Sequence, residues 1–206
     1  MKKLLIVSFV ILFVSINVFG RKSQAYKIKL TNVELNNETC GVIDHNQNEL
    51  NLTNAFFSDS LIKAEWFLEP THLALNLKND TDKNFKIIWD EVTYIDQNNI
   101  SQRIMHTSRM IVDIDEIQLS TIVVKKSRIK DNIVPIENLK WHMTPVSGRW
   151  AFENLFKGES TGEIRIMIPI EIESERYEYL FSFDIIKDGR KLKTEFTDTS
   201  LKVYKS

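Results

Sequence analysis

Apolar side chains recur at every second position through much of this chain, which is the period of a half-buried β-strand. The clearest run is 163–173, where Ile164, Ile166, Ile168, Ile170 and Ile172 share one face and Arg165, Glu171 and Glu173 the other. After Ser174, Glu175 and Arg176 the alternation resumes with Tyr177, Tyr179, Phe181, Phe183 and Ile185. The two runs predict a β-hairpin closed by that polar stretch. Its apolar face carries ten large side chains, each stabilising by roughly 1.5–3 kcal/mol when buried, so a second layer must cover it. Pro169 stands on the opposite parity and has no N–H, which predicts one free edge at that point.

Earlier runs behave alike. Ile62, Ala64, Trp66 and Leu68 alternate, Glu69, Pro70 and Thr71 turn the chain, and Leu73, Leu75 and Leu77 alternate back. Residues 79–84 (NDTDKN) are turn formers, followed by Phe85, Ile87 and Trp89, then Val92 and Tyr94 before a turn at 96–99. Tyr26, Ile28 and Leu30 open a first strand whose register shifts near Thr31 and Asn32, because Val33 and Leu35 have the other parity. Short strands are expected at 120–124 and 133–136, and a polar loop over 36–54. No apolar 3.6-residue pattern persists for three turns, and 58–67, the nearest to one, fits a strand equally well. The predicted fold is therefore all-β: a single antiparallel β-sandwich over 26–206, with an immunoglobulin-like topology as the most economical arrangement.

The first twenty residues break this pattern. Lys2 and Lys3 precede an almost unbroken apolar run over 4–19, and small residues follow at Gly20, Ser23 and Ala25. This is the layout of a secretory signal peptide spanning 1–20, with cleavage as late as 25. The run is shorter than the roughly 20 residues that cross a bilayer. Arg21 and Lys22 support the alternative of a retained anchor, the one case in which membrane contact is expected. Either reading places the remainder outside the cytoplasm, in the periplasm or the medium.

The charge balance narrows the partners. Setting aside Lys2 and Lys3 leaves 25 basic and 28 acidic residues, with no block of Lys or Arg in the linear sequence. Nucleic acid is not an expected partner, and no basic amphipathic helix is present to lie on a membrane. Cys40 is the only cysteine, so no internal disulfide framework is available, and a small buried residue is the expected role. The triplets beginning at Asn37, Asn51, Asn79 and Asn99 match the N-glycosylation acceptor pattern, which matters only in a eukaryotic secretory pathway.

Three stretches carry a family resemblance. The first is 79–90 (NDTDKNFKIIWD) with Tyr94, Asp96, Ser101 and His106. The second is 120–124 leading to 133–135 and then Asn138 and Trp141; the third is Leu155 and Phe156 with the 164–185 hairpin. In that order they resemble a family of small bacterial exported or envelope proteins, often lipoproteins, to which no activity is attached. The Asn-x-Thr turn before an apolar strand is also similar to immunoglobulin-like domains of envelope proteins. The resemblance implies a β-sandwich and an envelope location. This chain departs from the lipoprotein members in having no lipid-accepting cysteine at the end of its leader.

Candidate chemistry is sparse. His45, His72, His106 and His142 show no metal-site spacing, and structural or solvent-facing roles are expected, with His106 and His142 the one pair whose convergence in space is left open. Asp113 and Asp115, beside Glu116, are weak calcium candidates against the plainer reading of a solvated turn. No nucleophile elbow, Cys–His signature or phosphate-cradling glycine loop is present. The chain is therefore expected not to be an enzyme and to need no cofactor. The segment 141–162 concentrates Trp141, His142, Met143, Arg149, Trp150, Phe152, Leu155 and Phe156 between glycines at 148, 158 and 162. Read as a long connection, it is expected to plug one open end of the sandwich; the alternative is a recognition surface made by Trp141, Arg149, Trp150, Phe152 and Phe156. The leading expectation is a non-catalytic exported domain that binds another envelope or secreted protein or forms part of an envelope assembly. The alternatives are an immunity or inhibitor protein against a secreted toxin or hydrolase, and an enzyme whose site is assembled from distant residues.

Overall fold

A computed structural model describes residues 24–44, 54–106, 117–143, 147–157 and 161–191. The leader-like segment, the Asp113 and Asp115 pair and His45 lie outside the described residues. Within them the chain is antiparallel β with no α-helix.

The hairpin predicted near the C-terminus is the spine of the fold. Strands β14 (Gly162–Ile172) and β15 (Glu175–Lys191) pair with Ile166 opposite Phe181, Ile168 opposite Tyr179 and Ile170 opposite Tyr177. Such β-branched–aromatic pairs stabilise a sheet face. All five isoleucines are buried, as are Tyr179, Phe181, Phe183 and Ile185. The turn is tighter than the polar stretch suggests: Ile172 pairs with Glu175, and Glu173 and Ser174 turn the chain with φ of 49° and 72°. This is the left-handed pair of a type I′ turn, built here without glycine or asparagine.

Strand β1 (Gln24–Leu35) pairs with the other edge of β15, and its parity change is a β-bulge. Leu30 faces Phe183 while Asn32 faces Ser182, so Thr31 is the extra residue, and its hydroxyl donates to the Ser182 carbonyl (3.0 Å). Ile28, Leu30 and Val33 all reach the core as a result. A short strand β2 (Glu38–Thr39) folds back on the end of β1.

The second layer is formed by β3 (Val42–Ile43), β4 (Asn54–Ser58), β5 (Ile62–Leu68), β6 (Leu73–Asn79) and β11 (Arg128–Pro135), paired in the order β11-β6-β5-β4-β3. The remaining strands of the first layer are β7 (Phe85–Ile87), β8 (Thr93–Ile95) and β10 (Thr121–Val123). Both β7 and β8 pair with β14, and β10 pairs with β7. Strand β9 (Ser101–His106) belongs to both layers: Ser101–Arg103 pair with β8, and Ile104–His106 pair with β11. The large sheet is thus one curled antiparallel surface folded over into a sandwich-like arrangement. The immunoglobulin-like topology is a finer statement than this strand order carries.

The core lies between the layers. Phe57 of β4 meets Tyr179 and Phe181 edge-on, and Trp66 of β5 meets Phe181 and Phe183 at ring distances of 5.1 and 5.3 Å. Edge-to-face contacts of this kind add about 0.5–1.5 kcal/mol beyond the area they bury. Pro169 marks a change of neighbour: β14 pairs with β8 through 165–167 and with β7 through 170–171. Between them a 3-10 turn (Trp89–Glu91) intervenes, and the Ile88 N–H donates to the Pro169 carbonyl (3.1 Å). A strand residue's N and O point to the same side, so the missing N–H faces this gap in the ladder.

Candidate functional site

The aromatic segment is a two-stranded ribbon. Strands β12 (Leu139–Met143) and β13 (Gly148–Phe152) pair with each other and with no strand of the large sheet among the described residues. Leu139 faces Phe152, Trp141 faces Trp150 and Met143 faces Gly148. Leu139 is buried and Phe152 half-buried at the base, where the Glu153 N–H donates to the Asn138 carbonyl (2.8 Å). Beyond that base Trp141 is 51% exposed, Trp150 39% and Met143 83%.

The two indoles meet edge-on, 5.4 Å apart with planes at 69°. Trp141 also lies over Gly148, where an added Cβ would stand 2.1 Å from the ring. Only a residue without a side chain allows that approach, so the glycine helps fix the indole in place while leaving it in water. Lys140 and His142 are exposed on the same ribbon. Of Arg149, opposite His142 in the ladder, only the backbone is described.

The plug and the exposed surface are therefore different residues of one segment. Phe156 is buried in the core, its ring 5.4 Å from that of Tyr26, and the Leu155 N–H donates to the Pro70 carbonyl (2.8 Å). Phe152 sits between the two groups. The structure brings Trp141 and Trp150 together and sets Phe156 apart from them, inside the sandwich.

A second constellation is not evident in the linear pattern. His106 is buried at the end of β9, its Nδ1–H 2.9 Å from the Asp131 carboxylate. Its ring stacks on Trp89 at 4.5 Å and 8°. The Trp89 Nε1–H donates to the Thr121 hydroxyl (2.8 Å). Gln118, also buried, accepts from the His106 N–H (3.2 Å) and donates to the Ile104 carbonyl (2.7 Å). Asp90 accepts from the Gln118 N–H and from Arg103, both at 3.2 Å. A signal existed in β11: Asp131 has the parity of Ile129 and Ile133, an acid on an apolar face. Buried on both sides, this pair holds the seam between the layers. His142, exposed on the ribbon, is on a different element and in a different environment.

The other candidates resolve individually. Cys40 is half-buried against the core, and burial, with Asp59 nearby, pushes its thiol up to about 11. Burial pulls His72 below the ordinary imidazole value, and its Nδ1 lies 3.2 Å from the Thr71 hydroxyl. Asn79 is fully buried: its amide donates to the carbonyls of Lys83 (2.8 Å) and Val123 (3.0 Å) and accepts from the Thr81 N–H and hydroxyl. The Asn-x-Thr motif here is thus a structural turn clamp. Among the described residues no group of three or more His, Cys, Asp or Glu is placed to hold a metal, and no helix is long and apolar enough to cross a membrane. Comparison with family models, with curated proteins and with solved structures finds no match to the chain.

Proposed function

We propose that this chain is a non-catalytic exported domain that binds another envelope or secreted protein through the β12–β13 ribbon. The observation that carries this reading is the solvent-facing Trp141–Trp150 pair, with Trp141 laid over Gly148. Large rings kept in water and already ordered lose little entropy on binding, and Trp is the residue type most often found at binding hot spots. The segment 139–152 holds Lys140, Arg149 and His142 and no carboxylate, in a chain of net formal charge −1. That complementarity favours a partner whose apolar pocket has an acidic rim. Export and membership of the envelope family belong to the same proposal and rest on the leader-like segment and the sequence motifs. The immunoglobulin-like class rests on the same motifs and on the sandwich-like fold.

The test is quantitative capture from an envelope fraction by the full chain, compared with its Trp141→Ala and Trp150→Ala variants. The identified partner should bind each variant at least about thirtyfold more weakly, since truncating an aromatic hot spot costs ~2 kcal/mol or more. Unchanged melting temperatures in both variants make the loss specific. Full retention of the partner by both variants overturns the reading.

A further inference from the structure

Strand β10 is an edge of the large sheet: it pairs with β7, and among the described residues no strand lies along its other side. The stretch that contains it, 117–124 (IQLSTIVV), has no charge, proline or glycine. Its Ile117, Leu119, Ile122 and Val124 are between 53% and 77% exposed. The next positions inward on the same outer face are charged, since Lys86, opposite Ile122, pairs with Glu171 at 2.8 Å. Edge strands are ordinarily protected by a charge or a proline, because unpaired backbone invites another strand. Here the apolar side chains stand at the edge itself.

The ladder also fixes which backbone groups are free. The Ile88 N–H donates to the Pro169 carbonyl of β14. The Ile87 carbonyl, in the same peptide unit, therefore points the other way, toward its β10 partner Thr121. The N–H and C=O of a strand residue share one side, and successive residues alternate. Thr121 and Val123 thus bond to β7, and the N–H and C=O of Ile122 point outward from the sheet.

We infer that β10 is a dimer edge, where two copies of this chain pair antiparallel about a two-fold axis at Ile122. The occupant is a second copy because the stretch is complementary to itself when reversed. In sequence Asp115 and Glu116 precede it and Lys125 and Lys126 follow it. Lys126 is held by Asp82 at 3.2 Å, and Lys125 is exposed. Acid before and base after match only in the antiparallel sense, which is the sense a two-fold axis produces. On that axis the two Ile122 residues exchange both of their free hydrogen bonds in one pairing. Their side chains then stand together on the outer face, with each Val124 diagonal to the other copy's Ile122. The dimer extends the first layer across both molecules and leaves the β12–β13 ribbon out of the contact, so it is independent of the function proposed for that ribbon.

Light scattering of the full chain over a concentration series tests this, with Ile122→Lys as the variant. The parent should pass to twice the monomer mass, and Ile122→Lys, which sets like charges against each other on the axis, should stay monomeric. Its circular dichroism spectrum and cooperative melting should be kept, because the side chain it replaces is exposed. A second arm needs no disruption: Ile122→Cys in a Cys40→Ser background, treated with diamide. Facing Cα atoms in a bonded antiparallel pair lie about 5.5 Å apart, within the range a disulfide spans. A covalent dimer should form, while Ile186→Cys, exposed on β15, should remain monomeric under the same treatment. A parent that stays monomeric at every concentration, its edge left open or covered by another part of the chain, overturns the inference. So does a dimer that Ile122→Lys leaves intact, or cross-linking no faster at 122 than at 186.

Discussion

His106 lies flat on Trp89, ring centres 4.5 Å apart, while its Nδ1 faces the Asp131 carboxylate at 2.9 Å. The contact joins β9 and β11 to the 3-10 turn beside β14, so one polar pair sits where the two layers meet. Burying such a pair is tolerable only while both partners are present. Asp131→Ala is therefore expected to lower the unfolding free energy by about 2–3 kcal/mol, because it strands a buried imidazole N–H. Urea denaturation measures this, and a loss under ~0.5 kcal/mol would show that the pair is solvated.

The ribbon and the core below it should respond in opposite ways to truncation. Phe156→Ala removes a core ring and should cost on the order of 3–5 kcal/mol. Trp150→Ala removes a ring that is 39% exposed, and its cost should stay under about 1 kcal/mol. Equal losses in the two variants would mean that the indole pair packs against the sandwich.

Ile168 stands opposite Tyr179 at 1% exposure. Ile168→Asp puts an unpaired charge between the layers, where it is strongly unfavourable, and cooperative unfolding should be lost. A variant that melts within a degree or two of the parent would refute the two-layer core.

The β14–β15 turn holds Ser174 at φ 72°, a region in which side chains with a Cβ are strained and glycine is not. Ser174→Gly should stabilise the protein by roughly 0.5–1 kcal/mol, as expected where glycine fits the second position of a type I′ turn. Thermal unfolding would reveal the sign directly.

Cys40 offers a pH test. Its thiol is raised from 9.0 to about 11 in the folded chain. Below pH 9 both states are protonated; between 9 and 11 the unfolded chain ionises first, so this group withdraws stability as pH rises through that window. At pH 8 the folded thiolate fraction is about a hundredfold lower, and the greater nucleophilicity of a high-pKa thiolate recovers about tenfold of that. Disulfide-reagent labelling of folded protein should run about tenfold slower than of urea-unfolded protein, and equal rates would show the thiol to be unperturbed.

Much of the architecture was legible because burial imposes a period on the sequence. The isoleucines of β14, the aromatics of β15 and the parity change at Thr31 all record which residues face the core. The ribbon was harder. Leu139, Trp141 and Met143 do alternate with Lys140 and His142, but a run of five residues of which only Leu139 is covered carries little weight against Gly148, which reads as loop. Asp131 was readable as an acid on an apolar face, yet its partner His106 lies 25 residues earlier, and only the fold supplies that adjacency. Lys63, Lys78 and Arg128 are the extreme case: three isolated cations in three separate strands become neighbours only through register.

The double membership of β9 has a consequence for how the molecule comes apart. A strand whose first half is bonded to one layer and whose second half is bonded to the other leaves no seam along which the layers can part separately. Peeling either layer away strips half the ladder from Ser101–His106. The amide hydrogens of this strand that are bonded in either ladder should therefore exchange only when the whole domain opens, making them reporters of global opening rather than of local fraying.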